Sequence, residues 1–307
     1  MKYLVTGGAG FIGSHLCEAL IEKENEVVTV DDLSAGYESN LVHNNNLRLI
    51  VEKIQSVSEE QLEGIDGIFH LAAQASVPVS IEEFYSSTNN NLQSSVRVFD
   101  LARKRNIPVV YASSSAIYGN LPVGDDRIEK YEILSPYAQD KLTMEHYARL
   151  CHNLYGISSV GLRFFNVYGP RQDPKSPYSG VISIFMDRFM NKKEVIINGG
   201  YQTRDFIYVK DIVHTILTAM HLLMNEKKCM FLNVGTGISV TINELYEKMV
   251  SIFNYRPEIE YRPLDKADPE RSDGIFERLR EELMVNFKAF TKLQQGLHET
   301  VNYYLNN

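Results

Sequence analysis

A single short segment limits what this chain can fold into. Thr6-Gly7-Gly8-Ala9-Gly10-Phe11-Ile12-Gly13 stands between a short apolar run, Tyr3 to Val5, and a stretch with helical spacing of apolar residues, Phe11 to Lys23. Three glycines at that spacing are a device for joining a strand to a helix in a tight turn. Gly7 permits the turn, Gly10 leaves the backbone open to close approach, and Gly13 lets helix and strand pack together. The helix start then offers unpaired N–H groups and the positive end of its dipole to an anion such as a pyrophosphate. Glycine spacing alone is weak evidence, but here a second strand, Glu26 to Val30, follows the helix and ends at Asp31-Asp32. Acidic residues at that place accept from adenosine ribose hydroxyls and repel a 2′-phosphate, so NAD is the expected cofactor rather than NADP.

The rest of the first half repeats the alternation. Leu47–Val51, Gly67–Leu71 and Pro108–Ala112 read as strands, and Phe84–Arg105 and Tyr137–Tyr155 as amphipathic helices. Alternating strands and helices imply βαβ units and a Rossmann-type doubly wound parallel sheet covered on both faces. The second half is less regular. Gly169–Gly180 reads as a loop, Val195–Asn198 and Met230–Val234 as strands, Ile212–Met224 as a helix, and Tyr255–Asp273 as mostly loop. No linker separates the halves. The expected division is a dinucleotide-binding domain over 1–165, with returning segments at about 206–235. A smaller mixed α/β substrate-binding domain would form from about 166–205 and 236–307.

Bulk properties exclude several classes. A net charge of -8 argues against a general nucleic-acid binder, although a few basic residues can still be focused in one cleft for an anionic substrate. The three cysteines, Cys17, Cys151 and Cys229, fit neither a disulfide framework nor a metal-binding pair, and no metal is expected. No signal-peptide pattern opens the chain and no apolar run reaches the ~18 residues of a spanning helix. A cytoplasmic enzyme with no membrane contact is the expectation.

Candidate chemistry lies around the fifth strand. Ser113-Ser114-Ser115 follows it, at the carboxyl edge where such sheets bind ligands. Tyr137 and Lys141, spaced i, i+4, share a helix face. An ammonium beside a phenol favours the phenolate, so a tyrosine of ordinary pKa ~10 could act as a base near neutrality. Each signal is weak by itself in a chain with 18 tyrosines, and their conjunction with the glycine loop gives them weight.

In order along the chain, TGGAGFIG, HLAAQASVP, SSSAIYG, YAQDK, LRFFNVYGPRQ and TRDFIYVKD resemble the extended short-chain dehydrogenase/reductases. The match runs from Lys2 to about Asp211, and within the family it is most similar to the UDP-glucose and UDP-N-acetylglucosamine 4-epimerases. The resemblance implies that Tyr137 takes the proton from the sugar 4-hydroxyl while the C4 hydride passes to the nicotinamide of NAD and later returns to the other face of a 4-keto sugar. It implies that Lys141 holds the nicotinamide ribose, that Ser114, with Ser115 beside it, hydrogen-bonds the 4-oxygen, and that Asn91 supports the cofactor site. Gly7, Gly10, Phe11, Ile12, Gly13, Asp31, Asp32, Leu71, Ala72 and Ala73 would complete the NAD contacts. Where many members carry an Asp for the adenine amine, this chain has Glu52-Lys53-Ile54, which leaves the adenine contacts open.

For the UDP-sugar partner, the resemblance puts Arg204 and Asn166 on the diphosphate and Arg171 and Asn198 in segments that enclose the uridine. Ala75-Ser76-Val77-Pro78 resembles the members that accept N-acetylated sugars, which makes Ser76 a substrate-binding candidate. A second phosphate arginine is expected near the C-terminus. Arg262-Pro263-Leu264-Asp265 and Lys266-Ala267-Asp268 both match in part, and Arg262 is the expected one. If Asp268 is the aligned acid, Ser272 falls where a small residue admits N-acetylated sugars. A UDP-uronic acid 4-epimerase stays open. A 4,6-dehydratase would carry Asp-Glu after the catalytic hydroxyl, where Ser115-Ala116 stands. A non-catalytic nucleotide sensor would be expected to lose Tyr137 or Lys141. Members of the family often dimerise through two helices per subunit, which makes Phe84–Arg105 and Tyr137–Tyr155 candidates for a four-helix homodimer interface.

Overall fold

A computed structural model describes residues 1–174, 176, 179–264 and 268–306. The first half follows the expected alternation: β1 (Lys2–Thr6), α1 (Phe11–Glu22), β2 (Glu26–Asp31), β3 (Leu47–Val51), β4 (Gly67–His70), α2 (Val77–Glu82), α3 (Phe84–Arg105), β5 (Val109–Ser114) and α4 (Pro136–Tyr155). Then come β6 (Ser159–Phe164), β7 (Asn166–Tyr168), α5 (Val181–Met190), β8 (Val195–Asn198), β9 (Thr203–Tyr208), α6 (Val209–Asn225) and β10 (Cys229–Val234). The chain closes with β11 (Ser239–Thr241), α7 (Ile242–Phe253), β12 (Ile259–Arg262), α8 (Glu277–Leu283) and α9 (Leu293–Asn306).

Seven strands form one parallel sheet in the order β10-β6-β5-β4-β1-β2-β3. The order reverses between β1 and β4, and a crevice opens there at the carboxyl ends of the strands. Each face is covered by its own apolar cluster. Leu16 and Leu20 of α1 pack with Ile212 and Ile216 of α6 on one side. Val98 and Phe99 of α3 pack with Met144 and Ala148 of α4 on the other. Continuous burial on two faces explains why strands such as β1 and β2 read as apolar runs rather than alternations.

A third cluster joins Phe185 and Phe189 of α5, Tyr246 and Met249 of α7, and Leu297 of α9 around β7, β8 and β9. Two small sheets accompany it: β11-β9-β7 and β12-β8. The strand at Ile259–Arg262 corrects the expectation of loop from Tyr255 onward, because it pairs in parallel with β8, Ile259 against Val195. β6 is a second element that periodicity missed. Gly161 and Arg163 interrupt its apolar run, yet a Cβ on Gly161 would meet the Tyr111 ring at 2.7 Å, and Arg163 is neutralised by a partner on α4. Both residues are dictated by neighbours distant in sequence.

Candidate active site

The crevice is a cavity of about 480 Å³ lined by residues at the ends of β1 to β6 and on the helices α1, α3 and α4. Its floor is the glycine loop. Gly7 has φ +74°, and a Cβ there would meet the Ala72 nitrogen at 2.7 Å. A Cβ on Gly13 would run into the Gly7 carbonyl oxygen, whereas one on Gly10 would meet only that oxygen, at 3.2 Å, and otherwise face open space. No side chain caps α1 at Gly10, so the first N–H groups of the helix are left for an anion. A pyrophosphate fits this cradle.

Asp31 ends β2 against the loop, accepting from the Ala9 and Leu33 N–H groups, each at 2.9 Å. Burial raises its pKa, which those two donors oppose. Asp32 accepts from the Ser34 N–H and hydroxyl at 3.1 and 2.6 Å. Both carboxylates line the cavity with Phe11, Ile12, Leu71, Ala72 and Ala73. The Gly36-Tyr37 turn, which sequence reasoning passed over, completes this end. A Cβ on Gly36 would strike Ala9, and the Tyr37 N–H donates to the Ala9 carbonyl at 3.0 Å. The glycine a few residues past β2 was its only signal. Lys53 stands at the same end, with Glu52 and Gln55 beside it.

The reactive side chains come from β5 and α4. Ser135 caps α4 by accepting from the Ala138 N–H at 3.2 Å, and Pro136 opens the first turn. That start point sets Tyr137 in the first turn and Lys141 one turn later on the same face. Ser114, at the end of β5, lines the cavity with Tyr137 and opposes the rise in its pKa, and its hydroxyl accepts from the Ala116 N–H at 3.1 Å. The Lys141 Nζ donates to the Ala112 carbonyl at 2.7 Å and sits 5.6 Å from the centre of the Tyr137 ring. Tyr137, Lys141 and Ser114 thus share one wall of the cavity.

The electrostatics differ from the expectation of an acidified phenol. Burial raises the Tyr137 pKa above its ordinary value, Ser114 opposes that, and the Asp140 charge adds to it. Lys141 does not act on the hydroxyl because its ammonium is turned to a backbone carbonyl and lies against the ring. Burial lowers the Lys141 pKa to about 8, with Asp140 opposing. Asn91 lies outside the cavity lining and acts one layer back. Its amide donates to Asp140 at 3.0 Å and to the Gln74 carbonyl at 3.2 Å, and its oxygen accepts from the Gln74 N–H at 2.8 Å.

Other expected residues scatter. Asn166 and Arg171 line the cavity. Asn166 donates to the Asp205 carbonyl at 3.0 Å, and Arg171 pairs with Glu18 at 2.8 Å. Ser115 begins a 3-10 turn beyond Ser114 and is not in the lining. Ser76 is buried and caps α2 by accepting from the Val79 N–H at 3.3 Å, so its hydroxyl is engaged away from the cavity. Asn198 is exposed at the end of β8.

Arg204 is buried in β9 and pairs with Asp268, rather than with its neighbour Asp205, whose carboxylate accepts from Thr236 and Gly237. Arg262 is not among the residues that line the cavity. It is exposed on the two-stranded β12-β8 sheet and engaged with Glu260 at 2.7 Å. Arg271 is exposed and stands in register with Thr203, the neighbour of Arg204 in β9. Glu270 and Ser272 flank it and pair through backbone with Thr203, at 3.1 and 3.2 Å. Of the expected strings Arg262-Pro263-Leu264-Asp265 and Lys266-Ala267-Asp268, the residues Asp265, Lys266 and Ala267 lie outside the described residues. Among the described residues no group of three or more His, Cys, Asp or Glu side chains is placed to hold a metal ion, and no helix is long and apolar enough to cross a membrane.

Comparison with known proteins places this geometry. The model of the NAD dependent epimerase/dehydratase family matches residues 3–235. A putative UDP-glucose 4-epimerase of Methanocaldococcus jannaschii is 35% identical over 99% of this chain and 98% of its own length. The solved UDP-N-acetylglucosamine 4-epimerase of Methanobrevibacter ruminantium, in complex with UDP-N-acetylmuramic acid, superposes with a TM-score of 0.92. It is 36% identical and the match covers 99% of this chain and 98% of that one. The UDP-glucose 4-epimerase of Thermus thermophilus, solved with NAD, gives 0.86 at 32% identity, covering 99% of each chain. The chain therefore belongs to the NAD-dependent epimerase/dehydratase family, as an extended short-chain dehydrogenase/reductase of the type that acts on UDP-sugars with NAD as cofactor.

Proposed function

We propose that this protein interconverts the C4 epimers of a UDP-hexose or UDP-N-acetylhexosamine. The observation that carries the reading is the convergence of Tyr137, Lys141 and Ser114 on one wall of the cavity that holds the glycine cradle. NAD, when bound, supplies a two-electron acceptor that takes the C4 hydride and gives it back. The chain's own residues manage the proton. Ser114 donates to or accepts from the sugar 4-oxygen, and Tyr137 removes its proton and later restores it. A raised phenol pKa makes Tyr137 a poor source of phenolate, so the base step relies on positive charge brought close to the hydroxyl. Lys141 provides it on leaving the Ala112 carbonyl for the nicotinamide ribose. With a pKa of about 8 it is largely protonated at neutral pH.

Arg204 is the residue we assign to the diphosphate. In-register strand residues project to one face. Asn166 stands opposite Phe206, two residues from Arg204, at the rim of the cavity. A guanidinium group, with its planar fork of donors, is the chemistry a diphosphate calls for. Relatives named as acting on both plain and N-acetylated UDP-glucose support the substrate class. We further infer a homodimer through α3 and α4, which leave Val96, Leu150 and Leu154 exposed. Light scattering at micromolar concentration should give twice the chain mass, and a monomer contradicts it.

The test is incubation of purified protein with UDP-glucose, UDP-N-acetylglucosamine and UDP-glucuronate, with products resolved by proton NMR. Galacto-configured product from either of the first two supports the reading. Product from UDP-glucuronate alone, or an unsaturated or deoxy product, overturns it.

A further inference from the structure

Behind the cavity wall lies a charged cluster that the proton chemistry does not use. Arg163 of β6 and Glu145 of α4 are 2% and 1% exposed at the side chain and form a two-pronged pair, Nε to Oε1 at 2.9 Å and Nη2 to Oε2 at 2.7 Å. Further hydrogen bonds surround the pair. Ser113 donates to Glu145 at 2.6 Å, and Arg163 donates to the Tyr118 hydroxyl at 2.7 Å, which in turn donates to Asn233 at 2.7 Å. The Tyr118 and Tyr131 rings stand 5.5 and 5.4 Å from the guanidinium carbon.

Apolar residues of similar volume often serve stability as well as a buried pair does, so such a pair is weak evidence for stability in itself. Its location is more informative. Glu145 follows Lys141 by four residues and Tyr137 by eight, so all three share one face of α4. Ser113 adjoins Ser114 on β5, and successive strand residues point to opposite sides. Ser113 reaches Glu145, and Ser114, one residue on at the strand end, turns to the cavity that Tyr137 also lines. Tyr118 ends the 3-10 turn that begins directly after Ser114.

We propose that Glu145 and Arg163 are positioning residues, a buried clamp that fixes the end of β5 against α4 and so holds the Ser114 hydroxyl against the Tyr137 phenol. This rests on the Tyr137–Ser114 reading of the active site. A misplacement of about 1 Å between reacting groups lowers a rate by up to ~100-fold, so the clamp acts on turnover more than on substrate affinity.

The double variant E145M/R163M removes both charges at similar volume, and S113A removes only the strand's link to the clamp. Both are compared with the wild-type holoenzyme. In the double variant kcat is expected to fall ~10- to 100-fold while KM stays within about threefold of wild type, with the melting temperature retained. S113A is expected to give a smaller loss of the same kind. In the ligand-free protein, ¹³Cζ-tyrosine NMR should show Tyr137 titrating at higher pH in both variants, because the Ser114 contact holds its pKa down. That readout needs no turnover. A wild type inert toward every UDP-sugar contradicts the epimerase assignment, while an unmoved Tyr137 titration contradicts the clamp. Wild-type kcat in a folded double variant, or loss only in proportion to unfolded protein, also overturns it. If the double variant does not fold, unchanged kcat and Tyr137 titration in S113A overturn it alone.

Discussion

At the scale of single residues, the account depends on where protons and negative charge are held. Tyr137→Phe keeps the ring against Lys141 and removes the exchangeable proton. It should lower kcat ~10²- to 10⁴-fold, the ordinary weight of a general acid–base group, with little change in Kd for the UDP-sugar by calorimetry. A loss under tenfold would assign the base elsewhere. Gly13→Ala acts on the cofactor instead, because its methyl would meet the Gly7 carbonyl and force helix and loop apart. Purified Gly13→Ala protein should retain less NAD than wild type, measured by absorbance after acid release, and full occupancy would contradict the packing role. Both residues could be read from the sequence because their function depends on local spacing, either a turn or i, i+4 on a helix. Arg262 could not be judged that way. Its spacing resembles a phosphate arginine, but strand pairing with β8 carries it to an exposed sheet and a Glu260 partner. Only that long-range pairing decides its place.

At the scale of elements, α4 connects the fold to the chemistry. Ser135 fixes its first turn, and Gly156, at φ +70°, ends it in the left-handed conformation that glycine adopts without strain. Ser135→Ala should cost about 1 kcal/mol and is expected to lower kcat as well, since Tyr137 lies two residues beyond the cap. Paired urea denaturation and kinetics check this, and a stability loss with unchanged kcat would uncouple the helix start from the site. The elements legible in the sequence were those with an uninterrupted pattern: β1 to β5, β8, β10, α1, α3, α4 and α6. β6 was hidden because Arg163 and Gly161 make sense only beside Glu145 and Tyr111. β9 was legible as a motif but not as a strand, since Thr203, Arg204 and Asp205 open it with three polar residues whose partners lie on the Asp268–Ser272 segment and at Thr236.

At the scale of the whole molecule, two buried histidines tie stability to pH. Burial lowers the His15 pKa to about 4 and the His70 pKa to about 3. His70 is held between Thr6 at 2.7 Å and Ser95 at 3.3 Å. Both are neutral in the folded protein, and the unfolded chain binds their protons first, near the ordinary value of ~6.5. Their contribution is therefore complete above pH ~6.5 and is lost as pH falls toward 4, by an amount on the order of a few kcal/mol together. Urea midpoints at pH 7.5, 6 and 5 should fall in that order, and His70→Gln should flatten the dependence. A midpoint constant over that range contradicts it. The sheet, the cradle and the Tyr137 wall serve one claim, that a hydride leaves C4 of the sugar and returns to the same carbon without exchanging with solvent. The direct test is turnover of UDP-glucose and UDP-N-acetylglucosamine deuterated at C4, with isotope content of the product read by mass spectrometry and NMR. The account predicts a galacto-configured product that keeps its deuterium at C4, and a product whose C4 deuterium has washed out would contradict it.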